Sequence, residues 1–181
     1  EMSGDPSARK VTMITFGGGY DVRSIKLKEQ GVIDQAFELD LPQVVESKAK
    51  MFATRRFRKR AQRLHGSDDV DRWLPTFYKV DLNELDGVED AIDDILVRLR
   101  QEEKHHHTVV IVFEAVMIYL NEGIPTALLQ VISDKMRRAS TGDTNIKIDA
   151  ALCFADRLEN IPGGDKEIAD EEFVKNGWEL T

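Results

Sequence analysis

The chain has 181 residues, 41% of them hydrophobic and 32% charged, with 12 glycines, 5 prolines and a formal net charge of −8. That apolar share is too high and too evenly spread for a disordered chain, and it suffices for one domain over 1–181 with its own core. No uncharged apolar run approaches the roughly 18 residues of a membrane helix, the polar start EMSGDPSARK shows no signal-peptide pattern, and a pI near 5.1 argues against bulk affinity for nucleic acid.

In chain order, residues 11–16 (VTMITF) form a short β-branched run closing on Gly17-Gly18-Gly19, which predicts a first strand. Residues 22–30 read as a helix with Gly31 at its C′ position. A second strand over 33–39 ends in Asp40. Pro42 then opens a helix expected to run unbroken to residue 63. In it Val44, Val45, Ala49, Phe52 and Ala53 make the apolar stripe. The other faces carry Lys48, Lys50, Arg55, Arg56, Arg58, Lys59, Arg60 and Arg63, eight cations expected to face solvent, with an acidic partner, RNA or a localisation signal as alternatives.

A third strand over 76–80 ends in Asp81. A helix over 88–100 follows, with Val88, Ile92, Ile95, Leu96 and Leu99 on one side. The fourth strand, 109–113 (VVIVF), ends in Glu114. A helix over 124–138 leads to a fifth strand over 145–149. Then come a helical stretch over 151–160, a Pro162-Gly163-Gly164 turn, a helix over 168–175, and Asn176-Gly177-Trp178. Alternation of this kind predicts an α/β fold on a parallel sheet with right-handed crossovers.

Two features are weighed and set aside. His105-His106-His107 is expected in a solvated loop before the fourth strand, because adjacent histidines cannot all face one ion; no metal site is expected. Cys153 is the sole cysteine, which excludes an internal disulfide and fits a reducing, cytoplasmic setting. It is expected to pack on a helix face.

Open parallel sheets bind ligands beyond the carboxyl ends of their strands. Glycines at 17–19 let a ligand approach backbone N–H groups without meeting a Cβ, with a plain glycine-rich turn as the alternative. The dinucleotide fingerprint needs a further glycine where Val22 stands, which disfavours nicotinamide and flavin cofactors. Asp40 lies 21 residues after Gly19, a spacing suited to the two hydroxyls of a ribose, with capping of the next helix as the alternative. Glu38 emerges on the same face. Asp81 suits an exocyclic amine or a turn. Glu114, after five apolar residues, needs a compensating donor or cation, and a bound amino group would fit.

Taken together, FGGGYDVR, FELDLPQVVESK, the VDL of 80–82 and FEAVMIYL resemble the leucine carboxyl methyltransferase family, whose blocks occur in this order over about 11–140. NGW also resembles a family feature. The resemblance implies a Rossmann-like class I methyltransferase: a three-layer sandwich with sheet order 3-2-1-4-5 that binds S-adenosylmethionine. It places Gly17 and Gly19 at the methionine and ribose, with Asp21 in the same loop motif. It places Asp40 on the ribose hydroxyls, with Glu38 beside it, Asp81 and Leu82 at the adenine, and Glu114 near the methionine moiety. Tyr119 would line the acceptor pocket, with packing at a sheet edge as the alternative.

The acceptor implied is an oxygen, most simply a carboxylate such as a protein C-terminal leucine. A small molecule or tRNA nucleoside, or a non-catalytic interaction module, are the alternatives. A membrane partner is not expected. The family also has a helical segment before the first strand and a terminal strand hairpin. Neither is recognisable here, so the sequence reads as the central part of such a domain.

Overall fold

A computed structural model describes residues 9–65, 71–101, 106–141, 147–155 and 166–179. Its centre is a five-stranded, all-parallel sheet of β1 (Lys10–Phe16), β2 (Gln35–Asp40), β3 (Thr76–Lys79), β4 (His106–Glu114) and β5 (Lys147–Ala155), in the order β3-β2-β1-β4-β5. The α/β class and strand order match the expectation. Strand order reverses between β1 and β4, so the crevice of such sheets falls at their carboxyl ends.

Helices α1 (Arg23–Glu29), α2 (Pro42–Ala53) and α3 (Arg55–His65) belong to one face. Helices α4 (Leu85–Arg100), α5 (Ile124–Thr141) and α6 (Lys166–Lys175) belong to the other. Right-handed crossovers require this division, because the chain moves outward from β1 to β3 and then returns across the sheet to β4 and β5. The two faces are filled unequally. Ile14, Phe16, Phe37, Leu39, Ile111 and Phe113 point toward α4 and α5, where Ile92, Ile95, Leu99, Leu128, Leu129 and Ile132 complete the main core. The α1 face holds a small cluster of Met13, Ile33 and Ala36, with Leu27, Val11 and Val112 packed against it.

Two helix ends show why glycine stands where it does. Gly31 (φ +67°) follows α1, with Val32 N–H donating to the Leu27 carbonyl and Gly31 N–H to that of Lys28. This is the Schellman pattern. Gly177 (φ +87°) repeats it after α6, so Asn176-Gly177-Trp178 is a helix stop that delivers the Trp178 indole N–H to the Leu129 carbonyl of α5 at 3.3 Å.

Four expectations are corrected. Residues 42–63 are two helices. Thr54 is extended (ψ 141°), and its hydroxyl donates to the Met51 carbonyl at 2.8 Å and accepts from Phe57 N–H at 3.3 Å, closing one helix and capping the next. Residues 151–155 continue β5 rather than starting a helix. Their register with β4 runs unbroken to Ala155, and Leu152 and Phe154 alternate into the core, so tertiary pairing overrides the propensity of an alanine-rich stretch.

Cys153 consequently lies exposed on a strand, not packed on a helix. His106 and His107 belong to β4 rather than to a loop. His107 is fully buried and the His106 ring meets the Asp149 carboxylate at 2.9 Å. His105, residues 156–160 and the Pro162-Gly163-Gly164 turn lie outside the described residues. Among the described residues no helix is long and apolar enough to cross a membrane.

Candidate functional site

The glycine loop is tightest at Gly17, where contacts leave no room for a side chain. Gly17 (φ +66°) donates its N–H to the Leu39 carbonyl at 2.8 Å, bridging the ends of β1 and β2. A Cβ there would lie 2.3 Å from Cγ2 of Val116 and 4.0 Å from Leu82. Gly19 (φ +48°) has open space around its Cβ position, and its N–H donates to Asp40 Oδ2 at 2.7 Å. The other oxygen of Asp40 accepts from Leu41 N–H at 2.7 Å. Leu41 itself is the N-cap of α2 and makes no side-chain cap bond. Asp40 is therefore tied to the loop, which the capping alternative did not foresee.

Glu38 shares Asp40's face of β2, one pleat deeper, and is buried. Its carboxylate accepts from the Lys48 ammonium at 2.5 Å and the Ser24 hydroxyl at 2.8 Å, both buried. Burial raises the Glu38 pKa above the usual carboxylate range, opposed by the Lys48 and Ser24 hydrogen bonds. A Cβ on Gly18 would lie 3.2 Å from Glu38 Oε2. Glu38 thus supports the loop from beneath, clasped between α1 and α2. Lys48, expected on a solvent face, is the buried half of this pair.

At the end of β4, Glu114 is exposed and in contact with the Arg23 guanidinium. Arg23 also reaches Asp21 through Nε at 2.6 Å, and Asp21 Oδ1 accepts from Arg23 N–H at 2.9 Å. The next residue, Ala115, has φ +51°, a left-handed conformation unusual for a residue with a Cβ. Its N–H donates to the Ala155 carbonyl at 2.9 Å, so β5 holds it there. Gly17, Gly18, Asp21, Arg23, Glu114 and Ala115 line an open groove of about 370 Å³ with Thr15 and Phe16. The Phe16 and Phe113 rings stack at 4.6 Å on the core side of the same strand ends.

The third strand's end stands apart from this groove. Asp81 accepts from the backbone N–H of Asn83 at 2.9 Å and its side-chain amide at 3.1 Å, the turn reading. Leu82 is buried beneath Gly17. Asn83, which the sequence reading missed, accepts from Asn121 N–H at 2.7 Å and joins the β3 loop to the one after β4. Tyr119 is 77% exposed on the short turn at Met117–Tyr119. The structure thus gathers Gly17, Asp21 and Glu114, ties Gly19 to Asp40 beside them, and leaves Asp81 and Tyr119 outside the groove. Arg23 and Ala115 were also missed. Arg23 was legible as the last residue of GGGYDVR; nothing in the sequence marks Ala115.

A second hollow of about 650 Å³ lies between α5, β5 and α6, walled by Phe154, Phe173 and Trp178, and holds none of these residues.

Compared with known proteins, the chain matches no protein-family model and no curated protein. Among solved structures it is similar to a glucose-6-phosphate dehydrogenase in complex with its substrate glucose-6-phosphate, with a TM-score of 0.44 and 10% identity. That similarity covers 93% of this chain and 34% of the dehydrogenase chain. At that distance it carries no functional argument.

Proposed function

We propose that this chain is an S-adenosylmethionine-dependent methyltransferase domain acting on an oxygen acceptor, most simply a carboxylate such as a protein C-terminal leucine. The observation that carries the reading is the Gly19 N–H bonded to Asp40 at 2.7 Å, which unites two of the four ordered sequence blocks at the reversal point of a 3-2-1-4-5 sheet. The residues present fit such a cofactor. The glycine loop runs beside the groove, its Cβ positions at Gly17 and Gly18 turned onto Val116 and Glu38 and that at Gly19 open. Asp40 stands beside it for ribose hydroxyls, and Glu114 is a carboxylate suited to an ammonium group.

S-adenosylmethionine supplies, when bound, a methyl group on a sulfonium already activated for in-line displacement. The chain's own work is then proximity and orientation. Gly17 and Gly19 give backbone approach, Asp40 would fix the sugar, and Glu114 would balance a positive charge. Arg23, which neutralises Glu114 in this structure, would have to share it. A carboxylate acceptor is anionic at neutral pH and requires no general base. An intracellular setting, read from the lone cysteine, belongs to the same proposal.

Calorimetry with S-adenosylhomocysteine tests the reading. Saturable binding to the chain that weakens on Asp40→Ala is the expected result. Absence of binding, or binding indifferent to Asp40, would overturn it in favour of a non-catalytic module. A panel of C-terminal peptides, small acids and nucleosides then distinguishes acceptors.

A further inference from the structure

The charge of this protein is distributed in a lopsided way. The formal −8 divides into +8 over residues 48–63, which contain no acid, and −16 over the remainder. Lys48 is buried against Glu38, so the rest of that positive charge is carried largely by α3. On it Arg55, Arg56, Lys59, Arg60 and Arg63 are exposed. Arg58 reaches Asp71 at 2.8 Å, the one carboxylate paired to α3 among the described residues. Even with Asp68, Asp69 and Asp71 set against it, the stretch 55–72 holds seven cations to three acids.

Arg55 and Lys59, Arg56 and Arg60, and Lys59 and Arg63 are like charges four residues apart, pairs that destabilise a helix. An anion laid along this face would relieve that repulsion.

The helix lies far from the groove. Its predecessor α2 starts just past Asp40 and runs 12 residues, about 18 Å, toward the sheet's other end. There Arg58 lines a hollow with Pro75 and Thr76 at the start of β3.

We propose that the exposed face of α3 is a docking surface for a short acidic segment of a partner protein. Arginine predominates, and its planar fork matches carboxylates. The helix is about 16 Å long, which spans about five extended residues. Phe57 and Ala61 of α3 are turned inward. Phe57 packs on Phe52 at 4.8 Å and Ala61 is buried, so neither offers a stacking face to a base or a wedge to a bilayer.

The test is fluorescence anisotropy of a labelled hexaglutamate peptide with the whole chain, beside a uridine hexanucleotide of similar charge. Sedimentation with phosphatidylserine vesicles completes the comparison. The peptide is expected to bind saturably. Arg55→Glu/Arg56→Glu/Arg60→Glu should weaken it at least about tenfold, while lysine at the same three positions, which keeps the charge but loses the fork, should weaken it by about threefold to fivefold. Glutamine at these positions serves as the reversal-free variant should the glutamate form fail to fold, with circular dichroism melts as the check. No saturable peptide binding, tighter binding of the nucleotide or the vesicles, or unchanged peptide affinity in a folded charge-removed variant overturns the proposal.

Discussion

Lys48→Met is the perturbation that probes the clasp beneath the glycine loop. The Lys48 and Glu38 side chains are 2% and 5% exposed and 2.5 Å apart. At an effective dielectric of about 20, charges that close attract by roughly 7 kcal/mol, most of it offset by desolvation of both ions. Methionine fills the lysine stem's volume but leaves a buried carboxylate with the Ser24 hydroxyl as its remaining donor. Breaking one side of such a pair costs about 3–5 kcal/mol.

The loss should also depend on pH. Burial already raises Glu38 above its ordinary pKa, and removing the ammonium raises it further. A carboxyl raised on folding loses stability as pH climbs from its unfolded value through its folded one. The penalty is therefore largest near pH 7 and shrinks toward pH 5, by up to about 1.4 kcal/mol per pH unit. Urea unfolding followed by tryptophan fluorescence at both pH values measures it. Adding Glu38→Gln, which keeps an acceptor for Ser24, should recover most of the loss. A penalty under about 1 kcal/mol, equal at both pH values, would refute the claim that this pair is desolvated.

Three further outcomes are expected. Asp40→Ala should weaken S-adenosylhomocysteine binding by about 1–3 kcal/mol in calorimetry, the scale of a charge-assisted hydrogen-bond pair. Gly17→Ala, at φ +66° and against Val116, should cost about 2–4 kcal/mol in chemical denaturation, and Gly19→Ala, in open space, about 1; equal losses would contradict the packing described. The Tyr78 hydroxyl, pushed up to about 12 by burial and by Asp94, favours the fold while protonated, so stability should fall between pH 10 and 12. Tyr78→Phe should remove part of that fall in unfolding curves taken across this range.

The strand order came with the family resemblance, and Asp40 was legible as the end of the second strand 21 residues past Gly19, whereas its bond to Gly19 was not. A β-branched run ending in glycines favours a strand followed by a turn, and the next short apolar run closes on an acid. What escaped depends on contacts distant in sequence. Lys48 sits in a basic run that reads as solvated, and only the three-dimensional approach of α2 to β2 buries it on Glu38. The 147–155 strand hides in an alanine-rich sequence because its pairing with β4 decides its conformation. Ala115 carries no mark at all, since its left-handed backbone is imposed by the bond to Ala155. Thr54 was readable as a cap, had the unbroken charge pattern not suggested one helix.

The unequal filling of the two faces bears on how the molecule breathes. Amides of β1, β4 and α4, sealed by the main core, should exchange hydrogen through openings close in energy to global unfolding. Those of α1 rest on Met13, Ile33 and Ala36 and should exchange sooner. The glycine loop leads into that looser layer, whereas Glu114 extends from β4 in the tighter one. A ligand holding Asp40 and Glu114 together would bind the slow unit to the fast one, and its occupancy would be read as protection appearing first in α1.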